Sequence, residues 1–399
     1  MKFFDFLDHS VTPYHTVDCL KKALLDCDAQ LFERNGALIA VRFPKKATRD
    51  SRFRIALAHT DFPALKISPN PDKASSGVNK LHVETYGGLL YTSWLDRDLG
   101  YAGMLAFERN GQVHTKLIRG QKLFRIPQLA IHLNRGVNQD GLTVNPQTDL
   151  DALWSAAGEK KFVDVLKAEL GTDEQLLDFD VQLFDGQAAN KGGFNDEWIY
   201  SGRLDNLSSC HAIAEALLAS KSLENDFIVA AFMNNEEVGS VTREGAGGNF
   251  LQVVLEQVWN DACGSTAGLS AALGESLALS IDMAHAVHPN FPQKHESNHG
   301  PVLGGGVVLK SNSQKRYASD VVSSANFKLL CKNSGVPCQT FIARNDMPCG
   351  STVGPTISAS LGIPTVDIGE PMLSMHSIRE MMAAKDHEDM ILVLKKFFV

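Results

Sequence analysis

Nowhere does the sequence contain an apolar run approaching the ~20 residues a helix needs to cross a bilayer, so no membrane partner is expected. The opening Met1-Lys2-Phe3-Phe4-Asp5-Phe6-Leu7-Asp8 has acids where a signal peptide needs an uninterrupted apolar stretch, which makes a cytoplasmic chain the expectation. Cysteine is sparse and unpatterned. Cys19, Cys27, Cys210, Cys263, Cys331, Cys338 and Cys349 include no C-x-x-C pair and are odd in number, against both a disulfide scaffold and a cysteine zinc site. Lysine and arginine do not cluster, and the formal charge is −8, so no nucleic-acid partner is expected. No G-x-S-x-G elbow occurs, and Gly304-Gly305-Gly306 lacks the spacing of a phosphate loop and reads as a strand entry. Internal repeats and low-complexity segments are also missing.

What is present is length and buried patterning. With 399 residues, of which 44% are apolar, the chain exceeds what one core usually supports, predicting two domains or one enlarged α/β domain. Val11 to Cys27 reads as an amphipathic helix and Ala37-Leu38-Ile39-Ala40-Val41 as a strand. Phe53-Arg54-Ile55-Ala56-Leu57-Ala58 is nearly continuous in apolar character and runs into His59-Thr60-Asp61. From about residue 62 to 195 the texture turns to short, half-polar strands, with Asn110-Gly111 as a hairpin signal. After residue 195 buried patterns return. A helix is expected from Asn206 to Ala219, and a strand from Asp226 to Phe232 ending at Met233-Asn234-Asn235-Glu236-Glu237. Leu277 to Ile281 is a strand ending at Asp282. A final strand at Pro364-Thr365-Val366-Asp367-Ile368 leads to Met375-His376, with His376 opening the last helix. Alternating strands and helices imply an α/β fold: a mixed, largely parallel sheet with helices on both faces.

Parallel strands place their carboxyl ends along one edge, so His59, Asp61, Glu236, Glu237 and Asp282 can converge there with Asp205 and His376. Two histidines and three carboxylates, one bridging, suffice for a pair of divalent ions. A nitrogen and oxygen donor set without thiolate suits Zn²⁺, with Co²⁺ or Mn²⁺ as substitutes. Asp61 and Glu236 are then spare. Asp61 can fix the His59 tautomer, and Glu236 can act as general base. Each residue has a blander reading: Glu236-Glu237 as a solvated turn or an acidic helix start, Asp205 as a helix cap, a lone His as hydrogen-bonded structure. The joint pattern outweighs these, because charges at the ends of buried strands are costly unless compensated.

The wording around these positions resembles the aspartyl aminopeptidase family of two-zinc metallopeptidases. The matching segments are Phe6-Leu7-Asp8-His9-Ser10 with Pro13-Tyr14-His15, Ala58-His59-Thr60-Asp61, Gly202-Arg203-Leu204-Asp205-Asn206, Asn235-Glu236-Glu237-Val238-Gly239-Ser240, Asp282-Met283-Ala284-His285, Met347-Pro348-Cys349-Gly350-Ser351-Thr352 and Ser374-Met375-His376-Ser377-Ile378-Arg379-Glu380. They span the chain in family order. The resemblance implies a zinc-exopeptidase fold, with residues 1–61 and 196–399 as the catalytic domain and 62–195 as an inserted β-rich dimerisation domain. It implies that His59 and Asp282 bind one zinc, that Glu237 and His376 bind the other, and that Asp205 bridges them, with Glu236 as base and Asp61 in support. It further implies dimers assembling into a tetrahedral dodecamer, with His132 of Leu129-Ala130-Ile131-His132-Leu133 reaching a neighbouring subunit's site. Gln128 replaces a commoner histidine there.

The implied substrates are peptides with a free N-terminus, preferentially Asp or Glu. An acidic side chain needs a cation, for which Lys310 with nearby Tyr317 is the candidate, although a snorkelling surface lysine reads equally well. The rivals are a related two-zinc aminopeptidase with another side-chain preference and a non-catalytic scaffold or cargo assembly of the same fold. His295-Glu296-Ser297-Asn298-His299 satisfies H-E-x-x-H, but that motif needs a helix. Pro292, Gly300 and Pro301 around it predict a loop.

Overall fold

The computed structural model describes residues 1–120, 122–171 and 174–399. They form two units, one of 1–61, 189–375 and 380–399, the other of 62–188 and 376–379.

The first unit is built on an eight-stranded sheet. Its order is Gln30–Arg34, Ala37–Arg42, Phe227–Met233, Phe53–His59, Leu277–Ile281, Thr365–Gly369, Val307–Lys310 and Cys338–Phe341. The four strands from Phe227–Met233 to Thr365–Gly369 run parallel, while Ala37–Arg42 and Val307–Lys310 flank them antiparallel. The sheet is therefore mixed, with its parallel part at the centre.

Such strands are covered on both faces and must be apolar throughout. Phe227–Met233 accordingly has every residue buried. On Phe53–His59 the period-two alternation of side chains turns Ile55 and Leu57 toward one core, shared with Trp259 and Val254 of the helix Phe250–Cys263 and Ile357 of the helix Val353–Leu361. Ala56 and Ala58 fall on the opposite face, and the small side chains suit close approach by the helix Leu204–Ala219, which contacts this strand and also packs on the terminal helix Ala384–Phe397.

A second, five-stranded sheet joins Asn190–Gly192, Trp198–Ser201, Glu380–Ala383, Pro371–Leu373 and Ala284–His285. It alters three expectations. Thr365–Gly369 is not the last strand, because the chain doubles back through two more. His376 does not open the last helix, which starts at Ala384. Residues 189–195, expected in the inserted region, cluster with the first unit, where Asn190–Gly192 pairs with Trp198–Ser201. The first long helix is also shorter than predicted. It spans Pro13–Leu24, with Pro13 opening the helix and the Thr12 hydroxyl accepting from the His15 N–H at 3.3 Å.

The second unit is a six-stranded sheet in the order Gln112–Arg119, Leu99–Arg109, Gln175–Asp185, Ala64–Ser75, Val78–Tyr86 and Ala152–Ala156, antiparallel throughout. Asn110 and Gly111 both have positive φ, 55° and 75°, as a two-residue hairpin turn of this hand requires. Its core includes Leu65, Leu81, Tyr101, Leu105, Phe124, Phe162 and Leu183.

Candidate metal centre and active site

Three neighbouring parallel strands end at the same edge of the first unit's sheet, and each delivers a polar group there. His59 closes its strand and is 1% exposed. Its Nδ1 lies 2.9 Å from the Asp61 carbonyl oxygen, so Nδ1 donates there and Nε2 faces inward. Around Nε2 stand Asp205 Oδ1 at 3.5 Å, Asp282 Oδ1 at 3.6 Å and Glu236 Oε2 at 3.9 Å.

Asp205 arrives from the start of the helix Leu204–Ala219, where the backbone of Asp205 and Asn206 is not helical. Two contacts hold this turn. The Asp205 N–H donates to Glu380 Oε2 at 3.1 Å, and Asn206 Nδ2 donates to the Ile281 carbonyl at 2.8 Å, tying the turn to the strand end beside Asp282. Asp282 is oriented by the Met283 N–H, 2.7 Å from Oδ1.

Glu236 and Glu237 sit in a short 3₁₀ turn entered through Asn235 at φ 61°. Their two successive N–H groups donate to the two oxygens of Asp61, each at 3.1 Å. Asp61 is wholly buried. Its carboxylate lies 3.4 Å from His59 Nδ1, whereas its own backbone carbonyl makes the closer contact. The Asp61 carboxylate, expected to fix the His59 tautomer, thus shares Nδ1 with its own backbone carbonyl, and it also caps the turn that presents both glutamates.

The electrostatics follow from crowding of one sign. Burial pushes the Glu236 carboxyl up to about 8; His59 opposes this, and the charges of Asp282, Asp61 and Asp205 add to it. Burial would depress His59, but Asp205, Asp282, Asp61 and Glu236 outweigh it and hold the imidazole well above its ordinary value. Lys310 is the cation paired here among the described residues, with Nζ 3.7 Å from Asp282 Oδ2 and 5.6 Å from the centre of the Tyr317 ring. It is 3% exposed, which rules out the snorkelling reading. Burial first, then Cys349, raises the Tyr317 phenol far above its ordinary value.

The donor atoms of His59, Asp205 and Asp282 lie within 4.8 Å of one another, as do those of His59, Glu236 and Glu237. Ligands roughly 2.0–2.2 Å from a tetrahedral zinc stand about 3.3–3.6 Å apart, which matches the separations of His59 Nε2 from Asp205 and Asp282. His376 and His132 belong to the second unit. His376 places Nδ1 3.0 Å from the Gly88 carbonyl, and His132 occupies an exposed turn beside the exposed Leu129, Ile131 and Leu133. Gln128, nearby, is held by Asp96 through its backbone N–H and its side-chain amide, at 3.1 and 3.0 Å. His295 to His299 form a loop, as the flanking prolines predict. Its Glu296 engages His299 at 2.7 Å, and His295 Nε2 accepts the His288 N–H at 3.0 Å.

Sequence reasoning missed the positioning roles of Glu380, Asn206 and Asp367. The buried Asp367 accepts from Thr352 Oγ1 at 2.5 Å and from the Ala318 N–H at 2.6 Å, beside Tyr317. Its place inside an apolar strand was the available signal, since a buried carboxylate requires such partners.

A mixed α/β sheet with a histidine ringed by Asp205, Glu236, Glu237 and Asp282 at its carboxyl edge defines a metal-dependent hydrolase of the zinc-exopeptidase type. Residues 6–398 match the model of the family described as Aminopeptidase I zinc metalloprotease (M18), and the chain belongs to that family and is an aminopeptidase. A probable M18 family aminopeptidase 2 of Pseudomonas aeruginosa (strain UCBPP-PA14) is 41% identical over 420 residues, covering 99% of this chain and 96% of the relative. Its namesake in Azotobacter vinelandii is 38% identical with the same coverage. Among solved structures, the cryo-EM complex of Ape4 and Nbr1 superposes with a TM-score of 0.93 at 32% identity, covering 99% of this chain and 84% of that one. The S. cerevisiae mApe1 dodecamer gives 0.86 at 28%, covering 99% and 95%.

Proposed function

We propose that the protein removes N-terminal Asp or Glu from peptides with two zinc ions per subunit, His59 and Asp282 holding one, Glu237 and His376 the other, and Asp205 bridging. Bound there, the ions supply Lewis acidity and make water acidic enough to attack at neutral pH. Glu236 Oε2 takes the proton from the attacking water as it adds to the scissile carbonyl, then passes it to the departing amine. Asp61 holds the turn that aims Glu236. The Asp61 carbonyl keeps the His59 Nε2 lone pair toward the ion.

The observation that carries the acidic preference is Lys310, a buried ammonium in the wall of the carboxylate cluster. A substrate carboxylate beside it gains a charge-assisted contact where water is scarce, and resemblance to the aspartyl aminopeptidases supports the same choice. By the same resemblance, and with an mApe1 dodecamer among the structural neighbours, the chain assembles as a homo-oligomer through the 62–188 insert, with His132 lending itself to a neighbour's site. No helix among the described residues is long and apolar enough to cross a membrane, and we place the enzyme in the cytoplasm.

Turnover of a panel of N-terminal aminoacyl substrates, with and without a chelator, tests the reading. Hydrolysis should be fastest for Asp and Glu and vanish with the metal. Lys310→Ala should collapse the kcat/KM ratio of Asp over Leu substrates, a ratio insensitive to how much enzyme folds. An unchanged ratio means that another residue reads the acid, and turnover indifferent to chelator discards the metal mechanism.

A further inference from the structure

Outside the metal cluster, two of the described cysteines stand in contact. The helix Val321–Ser334 ends at Gly335, in the left-handed region at φ 69°, whose N–H reaches the carbonyls of Cys331 and Lys332. The Val336 N–H returns to the Cys331 carbonyl at 3.0 Å. This Schellman-type reversal turns the chain back beside Cys331 and through Pro337 into the edge strand Cys338–Phe341, where Cys338 stands in register with Val307. The Cys331 and Cys338 side chains are thereby in hydrogen-bond contact, and both cysteines are free thiols.

The two thiols differ in environment. Cys338 opens the outermost strand of the sheet, is half-buried, donates its S–H to the Gln339 carbonyl at 3.6 Å, and faces the Cys331 S–H and the Leu309 N–H as donors with the Lys328 ammonium nearby. Those donors favour its thiolate and hold its pKa below the ordinary thiol value, while Cys331, 1% exposed, is pushed up by the same contact and by burial. Burial instead pushes up Cys27, Cys263 and Cys210, the last to about 12. A thiolate within reach of solvent, backed by a protonated thiol, has the layout of an attacking cysteine and its resolving partner.

We infer that Cys338 and Cys331 form a reversible, hydroperoxide-responsive dithiol that closes into a disulfide between the helix Val321–Ser334 and the edge strand Cys338–Phe341. The Cys338 thiolate attacks the terminal oxygen of the hydroperoxide. The O–O bond breaks, an alkoxide leaves and takes up a proton as the alcohol, and Cys338 becomes a sulfenic acid. The Cys331 sulfur then attacks Cys338 sulfur, the S–O bond breaks, and hydroxide departs with the Cys331 proton as water. Two electrons pass from the dithiol to the peroxide. The cross-link ties the helix to the strand paired with Val307–Lys310, and so to the backbone that carries Lys310.

The test uses the intact zinc-loaded enzyme, exposed to hydrogen peroxide, quenched, alkylated and mapped by mass spectrometry without reduction. The expected result is a Cys331–Cys338 linked peptide, with loss of two of the seven thiols, both restored by a thiol reductant. In Cys331→Ser the link is absent and Cys338 accumulates as a dimedone-reactive sulfenic acid. Recovery of both cysteines as alkylated thiols after other cysteines have oxidised overturns the proposal. So does over-oxidation of Cys338 with Cys331 left free, or pairing of either residue with a different cysteine. The wild-type map decides the matter even if the variant does not fold.

Discussion

The two units handle charge in opposite ways. In the second unit, charged side chains are spread along antiparallel strands and matched by opposite charge: Lys66 with Asp180 at 2.8 Å, Arg97 with Asp185 at 2.7 Å, and Lys73 and Lys80 with Asp151 at 3.2 and 3.1 Å. In the first unit, the central strands are apolar along most of their length, Arg54 and Asp367 apart, and charge gathers at one edge, where Asp61, Asp205, Glu236, Glu237 and Asp282 collect with His59 and Lys310. Pairs of the first kind are partly exposed and contribute about 0–1 kcal/mol each. A collection of the second kind is unfavourable unless a cation enters it. A surplus of one charge sign at strand ends therefore distinguishes a site built for chemistry from a surface built for solubility.

The sharpest test of that contrast is Glu236→Gln. If Glu236 carries the proton rather than contributing only charge, kcat should fall on the order of 10²–10⁴-fold. Zinc content, measured by atomic spectroscopy, should stay at the wild-type level. Near-full turnover with normal metal content would show that the surplus charge does no proton transfer. Asp61→Asn probes the support beneath it. The new amide nitrogen cannot accept, so one of the Glu236 and Glu237 N–H groups loses its acceptor in a buried setting, at about 1–3 kcal/mol. The expected outcome is a lower melting temperature and a lower kcat, with a smaller rate loss than Glu236→Gln. Equal rate losses would place Asp61 in the proton transfer itself.

The strand ends were legible because a strand buried on both faces cannot alternate: Phe53–His59 and Phe227–Met233 read as apolar runs, and the first polar residue after each marks the edge. Asn110-Gly111 was legible for a comparable reason, since few dipeptides accept two positive φ angles in succession. The doubling back of residues 371–383 was not. Pro371–Leu373 and Glu380–Ala383 are too short to show a period, and their pairing is decided by partners distant in sequence. His376 was accordingly assigned to a helix start it does not occupy. Asp61 was legible as a neighbour of His59 but not as the cap of the next turn, because its bidentate grip on Glu236 and Glu237 depends on the positive φ of Asn235, a backbone feature that sequence spacing does not display. Lys310 remained ambiguous for want of burial, which only packing reveals.

Gly103→Ala tests whether the second unit can be weakened without disturbing the cluster in the first. Gly103 lies opposite Val181 on the paired strand. A Cβ there would stand 2.0 Å from the Asp180 carbonyl oxygen and 2.6 Å from Val181 Cα, both backbone atoms that yield only by moving the strand. The expected cost is about 1–3 kcal/mol, read as a lower unfolding midpoint. Hydrogen exchange should quicken in Leu99–Arg109 and Gln175–Asp185 and stay unchanged in Phe53–His59, with zinc content preserved. Equal acceleration in Phe53–His59 would mean that the units do not divide their stability as they divide their charge.

The smallest expected effect concerns a titratable group of the first unit outside the carboxylate cluster. His211 lies on the same helix as Asp205 and is buried, with Nε2 3.0 Å from the Met1 carbonyl and Nδ1 2.9 Å from His387 Nε2. A carbonyl can only accept, so Nε2 carries the proton and Nδ1 accepts. A second proton would meet a donor. Burial, reinforced by His387, lowers the His211 pKa to about 3, against about 6.5 in the unfolded chain. Between those values the unfolded state binds a proton that the folded state refuses, so stability is complete above pH 6.5 and is lost as pH falls toward 3. The contribution amounts to about 1 kcal/mol between pH 6.5 and 5.5. Melting of the chelator-treated protein across that interval, which removes the titration of metal binding, should show a steeper decline for wild type than for His211→Gln. Identical slopes would assign the acid sensitivity to other groups, and would show that buried titratable groups in the first unit matter to stability only where they gather around the metal.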